Sequence, residues 1–287
     1  MILETHSNRG LVMKHLLPGI LWFALLVSSI ENLRAHDDVA DHLRLLDQAI
    51  ERTPNKQSLY IERGALYSSE AGMHERALQD FRRAEQLGPP VAVAHPLGML
   101  FFRTGDFAKA RSYFDRYLEQ FPGFAPAYEY RAKAAYRMGD KAKSMADYDA
   151  FFRLQKHINP GSYIDAAGVH ASSNDERDIK AALSLLDQGM NRLGLNPELQ
   201  RYAIRLELQR SQPDKAIQRL LGLKTLLKGS PAWQVDMAEL LIETGRSAQA
   251  AAYLDAAEAR LAKLRSTPAR SDLAKKIRTL KGQPDPR

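Results

Sequence analysis

The sequence predicts an all-α fold, a right-handed α-solenoid of about five to seven helix–turn–helix units closed by a C-terminal capping helix. Three observations predict it. First, RTGDFAKARSYF and RMGDKAKSMADY repeat the same punctuation, with Gly105 and Gly139 standing 34 residues apart. That is the length of a two-helix unit that cannot bury its own apolar face and must stack on copies of itself. Second, small and large residues recur at fixed offsets around those turns. Third, the strict apolar/polar alternation of a half-buried strand is absent.

From the N-terminus, residues 1–35 read as a secretory signal peptide, with the true start expected at Met13. Lys14 and His15 form a short basic region, Leu16 to Ile30 an apolar core, and Leu33-Arg34-Ala35 a cleavage site. Cleavage after Ser29 is an alternative. The apolar run of about 15 residues, broken by Pro18 and Gly19, falls short of the ~20 needed to cross a bilayer. No stable membrane span is expected once it is removed, and with no Cys behind it a lipoprotein anchor is excluded. The expected address is the Gram-negative periplasm or outside the cell, with anchoring through an uncleaved segment as the alternative.

Residues 36–56 read as an incomplete first repeat, a lone second helix with Leu46, Ala49 and Pro54 in register. Residues 57–156 hold three well-formed units. The first has Tyr60, Gly64, Tyr67, Gly72, Ala77, Phe81, Ala84 and Pro89, with one extra residue before its turn. The second has Leu97, Gly98, Phe101, Gly105, Asp106, Ala110, Phe114 and Pro122. The third has Tyr128, Ala132, Gly139, Asp140, Ser144 and Tyr148. The small residues let two helix backbones approach, and Phe81, Phe114 and Tyr148 are expected to fill the gap between units. Gly72, Gly105 and Gly139 suit the left-handed conformation at a helix end.

These residues resemble the tetratricopeptide repeat family. In that family the inward-facing positions of each first helix line a concave groove that holds an extended peptide or a partner helix. Carried onto this chain, the resemblance puts His95, Met99, Phe102 and Arg103 there in one unit and Glu129, Lys133, Tyr136 and Arg137 in the next. Ile61, Ala65, Ser68 and Ser69 take the same places in the first. Phe102 and Tyr136, Arg103 and Arg137, and Met99 and Lys133 then form pairs 34 apart, a basic–aromatic stripe suited to an acidic peptide or a chain terminus. The bland alternative is that Phe102 and Tyr136 pack between units while the arginines are solvated. A specialised family variant clamps a chaperone's terminal carboxylate with Lys and Asn at two of these positions. His95 and Met99 stand there instead, and that mode is not expected.

Residues 157–264 read as degenerate units. SYIDAAGVHAS and SLLDQGMNRLGLNP make one pair, with SNDERD lengthening its turn. A loose pair follows over 197–223, then a clearer one with Ala238, Gly245, Ala250, Leu254 and Ala257 in register. Near Pro160-Gly161 a kink in one continuous superhelix is expected, a domain boundary being the alternative. Residues 265–287 supply the capping helix that an open array needs for solubility, and a disordered tail.

The net charge of +7 favours acidic partners. Losing residues 1–35 removes Arg9, Lys14 and Arg34 with Glu4 and Glu31, so the basic balance belongs to the remainder. The absence of cysteine excludes disulfides, thiolate metal sites and thiol nucleophiles. Neither a phosphate-binding loop nor a nucleophile elbow occurs, His74 lacks a second His at the zinc-protease offset, and no isolated carboxylate pair points to acid–base work. No enzyme activity and no cofactor are expected. The partner is expected to be a protein or peptide, acidic in one reading, and an exported chain makes nucleic acid an unexpected one. Two other readings stand beside the scaffold. Cleavage after Ala35 would expose His36, whose amine and imidazole can chelate copper. The basic C-terminal region could also adhere to an anionic envelope surface.

Overall fold

A computed structural model describes residues 38–282, so the segment read as a signal peptide, His36 and the last five residues lie outside the described residues. Regular structure among the described residues is helical throughout. The chain divides into two compact units, Met1–Ala134 and Ala135–Arg287.

The first unit holds α1 (38–52), α2 (Gln57–Ser69), α3 (His74–Leu87), α4 (Val91–Arg103), α5 (Phe107–Gln120) and most of α6 (Ala125–Arg137). The turn between α2 and α3 has four residues and that between α4 and α5 has three, which accounts for the extra residue in the first repeat. Both turns use a glycine at positive φ, +79° at Gly72 and +82° at Gly105, a conformation with a steric penalty for any other L-residue. Asp106 then caps α5 by accepting from the Lys109 amide at 3.1 Å.

The two helices of each pair meet where a glycine faces a phenylalanine. A Cβ on Gly64 would lie 2.7 Å from the Phe81 ring, and one on Gly98 2.6 Å from the Phe114 ring. Both rings are completely buried. They therefore fill the space inside their own pair as well as the space beyond it. Phe81 belongs to a core with Val93, Leu97 and Leu100, and Phe114 to one with Ala127 and Ala134. Burying each ring contributes about 1.5–3 kcal/mol.

Polar links join successive pairs. Tyr60 and Tyr128 each donate a hydroxyl to the carbonyl six residues earlier, Pro54 at 3.0 Å and Pro122 at 3.1 Å. Arg63 clasps Asp80 through two bonds of 2.8 and 2.6 Å and reaches Asp47 at 2.6 Å, joining α1, α2 and α3. Two repeats on, Arg131 takes Asp115 at 2.7 Å.

The second unit comprises α7 (Lys141–Leu154), α8 (Pro160–Ala171), α9 (Glu176–Leu193), α10 (Pro197–Gln209), α11 (Pro213–Gly222), α12 (Pro231–Glu243), α13 (Ser247–Leu261) and α14 (Pro268–Leu280). Prolines open α8, α10, α11, α12 and α14, where a missing N–H costs nothing. Gly139 and Gly245 sit at φ +80° and +77° ahead of α7 and α13. Of SNDERD, the last three residues are already in α9, so that turn is four residues long.

In the α8/α9 pair the large and small positions are exchanged. Tyr163 on the first helix lies 2.9 Å from where a Cβ on Gly189 of the second would be. A charged chain runs through α9, α10 and α11. Arg210 binds Glu176 at 2.8 Å and Glu207 at 3.1 Å, and Arg219 binds Glu207 at 3.1 Å and Asp187 at 2.7 Å. The last core gathers Leu220, Trp233, Met237, Leu241 and Leu254, with Ile277 of α14 buried against it.

Candidate functional site

The side chains expected to face a partner come from α4 and α6, all but Tyr136 and Arg137 within the first unit. His95 and Met99 lie one turn apart on α4, and Phe102 and Arg103 follow at its end. Phe102 meets Phe107 and Tyr130 edge-on, with ring centroids 5.5 Å apart in each case. Met99 packs on the Phe114 core. His95 turns into an aromatic cluster, its ring 5.9 Å from Phe114, 5.3 Å from Tyr117 and 5.1 Å from Phe124. Burial there pushes its pKa below the ordinary histidine value, and its buried Nε2 has no hydrogen-bond partner.

The charged members are held by neighbours. Arg103 is exposed, but its Nη1 donates to the Ser68 carbonyl at 2.8 Å and to the Ser68 hydroxyl at 3.0 Å. This ties the end of α4 to the end of α2 and fixes the direction of the guanidinium fork. Lys133 pairs with Glu129 at 3.0 Å and stands over the Tyr130 ring at 5.5 Å. One edge of the face is thus a Glu129–Lys133–Tyr130 group rather than a bare cation. Tyr136 and Arg137 occupy the last turn of α6, in the second unit, where both are exposed.

Tyr130 organises this face more than its sequence position announces, whereas Ser68, already an expected groove position, holds Arg103. Tyr130 touches both Phe102 and Lys133. Its signal was weak because it falls outside the four positions taken as inward-facing.

The family model of the tetratricopeptide repeat matches residues 95–154. This segment is similar to tetratricopeptide repeats. It runs from His95 to the end of α7, so the matched tetratricopeptide-repeat segment contains all eight candidate residues. Solved tetratricopeptide-repeat structures extend the likeness of fold. The C-terminal part of a repeat-containing protein from Cytophaga hutchinsonii superposes with a TM-score of 0.64 at 12% identity, over 84% of this chain and 96% of that one. A tetratricopeptide repeat protein from Parabacteroides merdae gives 0.53 at 13% identity, over 89% and 98%. PilW, a widely conserved type IV pilus biogenesis factor, gives 0.51 at 16%, over 60% and 77%. No curated protein matches the sequence. The fold is an all-α helical repeat of the tetratricopeptide kind, a fold that serves protein–protein interaction in general.

Among the described residues no group of three or more His, Asp and Glu side chains could hold a metal ion, and no helix is long and apolar enough to cross a membrane. The copper reading rests on His36, outside the described residues. Several cations of the C-terminal region are engaged inside the second unit. Lys276 pairs with Glu239 at 2.8 Å, and Lys281 with Asp255 at 2.7 Å and Glu258 at 2.6 Å.

Proposed function

We propose that this chain is an exported, non-enzymatic scaffold that holds a protein or peptide segment of acidic character. The segment lies against His95, Met99, Phe102, Arg103, Glu129, Lys133, Tyr136 and Arg137. The observation that carries the reading is Arg103. Its exposed side chain is tethered through Nη1 to the Ser68 carbonyl and hydroxyl, which orders the guanidinium at the end of α4, next to Phe102 in the chain. Binding a carboxylate there in bidentate fashion loses little side-chain freedom, because the fork is already ordered. Phe102 and Tyr130, whose rings meet edge-on, supply rigid apolar area in the same unit.

The test is recovery of a partner by the purified chain from the cell-envelope fraction. The Arg103→Glu, Lys133→Glu, Arg137→Glu variant should lose that partner while keeping its helical circular dichroism. Unchanged recovery would remove the face from consideration. Intact mass of the exported protein tests the address: a chain beginning at His36 supports it, and a retained apolar segment contradicts it.

A further inference from the structure

A second candidate site lies within the second unit, built by the turn after α11, by α12 and by α13. Between the end of α11 and the start of α12 the chain turns over residues 223–230 and leaves a cavity of about 360 Å³. Its apolar wall is Trp233, which is almost fully buried and whose indole donates to the Leu220 carbonyl at 2.9 Å, so the ring is fixed. Leu227 adds to that wall. Gly229, at φ +89°, brings bare backbone past the Arg260 guanidinium, which would lie 3.4 Å from any Cβ placed there.

Lys224, Lys228 and Arg260 line the rim, all exposed, and no acidic side chain lines the cavity with them. The α12 N-terminus opens at the same place. Ser230 precedes it without capping it, and its first turn carries no acid. Its partial positive charge therefore adds to the three cations. One further polar side chain lines the cavity. Gln234 is 8% exposed, and its buried Oε1 has no hydrogen-bond partner. A change of rotamer would turn the oxygen or the NH₂ of Gln234 toward an incoming polar head.

We propose that this cavity binds a carboxylate borne on an apolar group. The three cations and the helix end receive the charge, Trp233 receives the apolar body, and Gln234 completes the polar contacts. At about 30 Å³ for each water-sized group, the space takes roughly a dozen non-hydrogen atoms. That excludes a folded partner and fits a small aromatic or branched acid. The same chemistry is offered by a free carboxylic acid and by the carboxyl terminus of a polypeptide ending in an apolar residue.

The experiment is a calorimetric titration of the full chain with 4-phenylbutyrate, and in parallel with the neutral 4-phenylbutan-1-ol. Saturable binding of one phenylbutyrate, at least tenfold tighter than the alcohol, is expected. The Lys228→Ala, Arg260→Ala variant should weaken it at least tenfold. Both side chains are exposed, so folding of that variant is expected and circular dichroism checks it. Gln234→Leu, which keeps the size and removes the amide, should weaken binding in the same direction. N-acetyl-Gly-Leu with a free carboxylate, compared with its amide, identifies the source. A dipeptide tighter than phenylbutyrate and silent as the amide points to chain termini, and the reverse order to free acids. Absence of saturable heat, equal affinity for the alcohol, or binding unchanged in the double variant would overturn the proposal.

Discussion

Gly98→Ala is the perturbation that tests the packing account most sharply. The added Cβ would stand 2.6 Å from Phe114 Cε1, 2.8 Å from Cδ1 and 3.0 Å from Cζ. Carbon atoms pack at about 3.5–4.0 Å, so the ring must retreat by roughly 1 Å. It has nowhere to go, being completely buried with the His95 and Tyr130 rings on it at 5.9 and 6.2 Å. Overpacking of this kind costs about 1–3 kcal/mol. Ala in a helix interior gains about 0.8–1.0 kcal/mol over Gly, leaving a net loss of up to about 2 kcal/mol. Urea unfolding followed by circular dichroism reads that as a lower midpoint at unchanged slope. In a Phe114→Leu background the clash disappears, and Gly98→Ala should become neutral or stabilising. The coupling in that cycle should then exceed about 1 kcal/mol. Energies that add within about 0.5 kcal/mol would refute contact between Gly98 and Phe114 as the reason for the glycine.

Arg63→Met leaves the nearly buried Asp80 carboxylate without its clasp, and the Arg63 pKa is already held above its ordinary value by the hydrogen bond to Asp80. A loss of about 2–4 kcal/mol in urea unfolding is expected, below the full cost of a buried unpaired charge because the arginine is partly exposed. His95 is kept neutral by burial, so its contribution is complete above the unfolded value of about 6.5 and falls as pH drops through its lowered folded value. An imidazole NMR titration should show a midpoint below 6.5, and one at or above it would contradict the burial. The Glu176 carboxyl is lowered to about 2, chiefly by its hydrogen bond with Arg210. Its contribution is present above the ordinary glutamate value and lost as pH falls toward 2. Arg210→Gln should return its NMR midpoint toward 4.3.

The repeats were legible because they are written in residue types with one physical use each. A glycine at positive φ, an aspartate cap and a glycine facing a phenylalanine repeat every 33 or 34 residues, and each is where the spacing placed it. Between residues 157 and 223 the same jobs are done by other residues, with Tyr163 and Gly189 exchanging sides and Asn174 taking the positive φ at +57°, before Gly245 restores the glycine turn at +77°. A search for fixed types at fixed offsets sees little there. The candidate face was legible only as positions on helices. That Arg103 would bond Ser68, or Lys133 would pair with Glu129, depends on side-chain reach between helices, which spacing does not encode. The Trp233 cavity was less visible still, because it is made by an irregular turn and by Arg260, 27 residues further on.

The central claim is that a partner lies against α4 and α6. The direct measurement places a photo-activatable phenylalanine analogue at Tyr136, exposed at the end of α6, and at Arg83, exposed on α3, and irradiates living cells. The account predicts one defined adduct from position 136, lost when Arg103→Glu is added, and none from position 83. The same adduct from both positions, or one from 136 that survives Arg103→Glu, would contradict it.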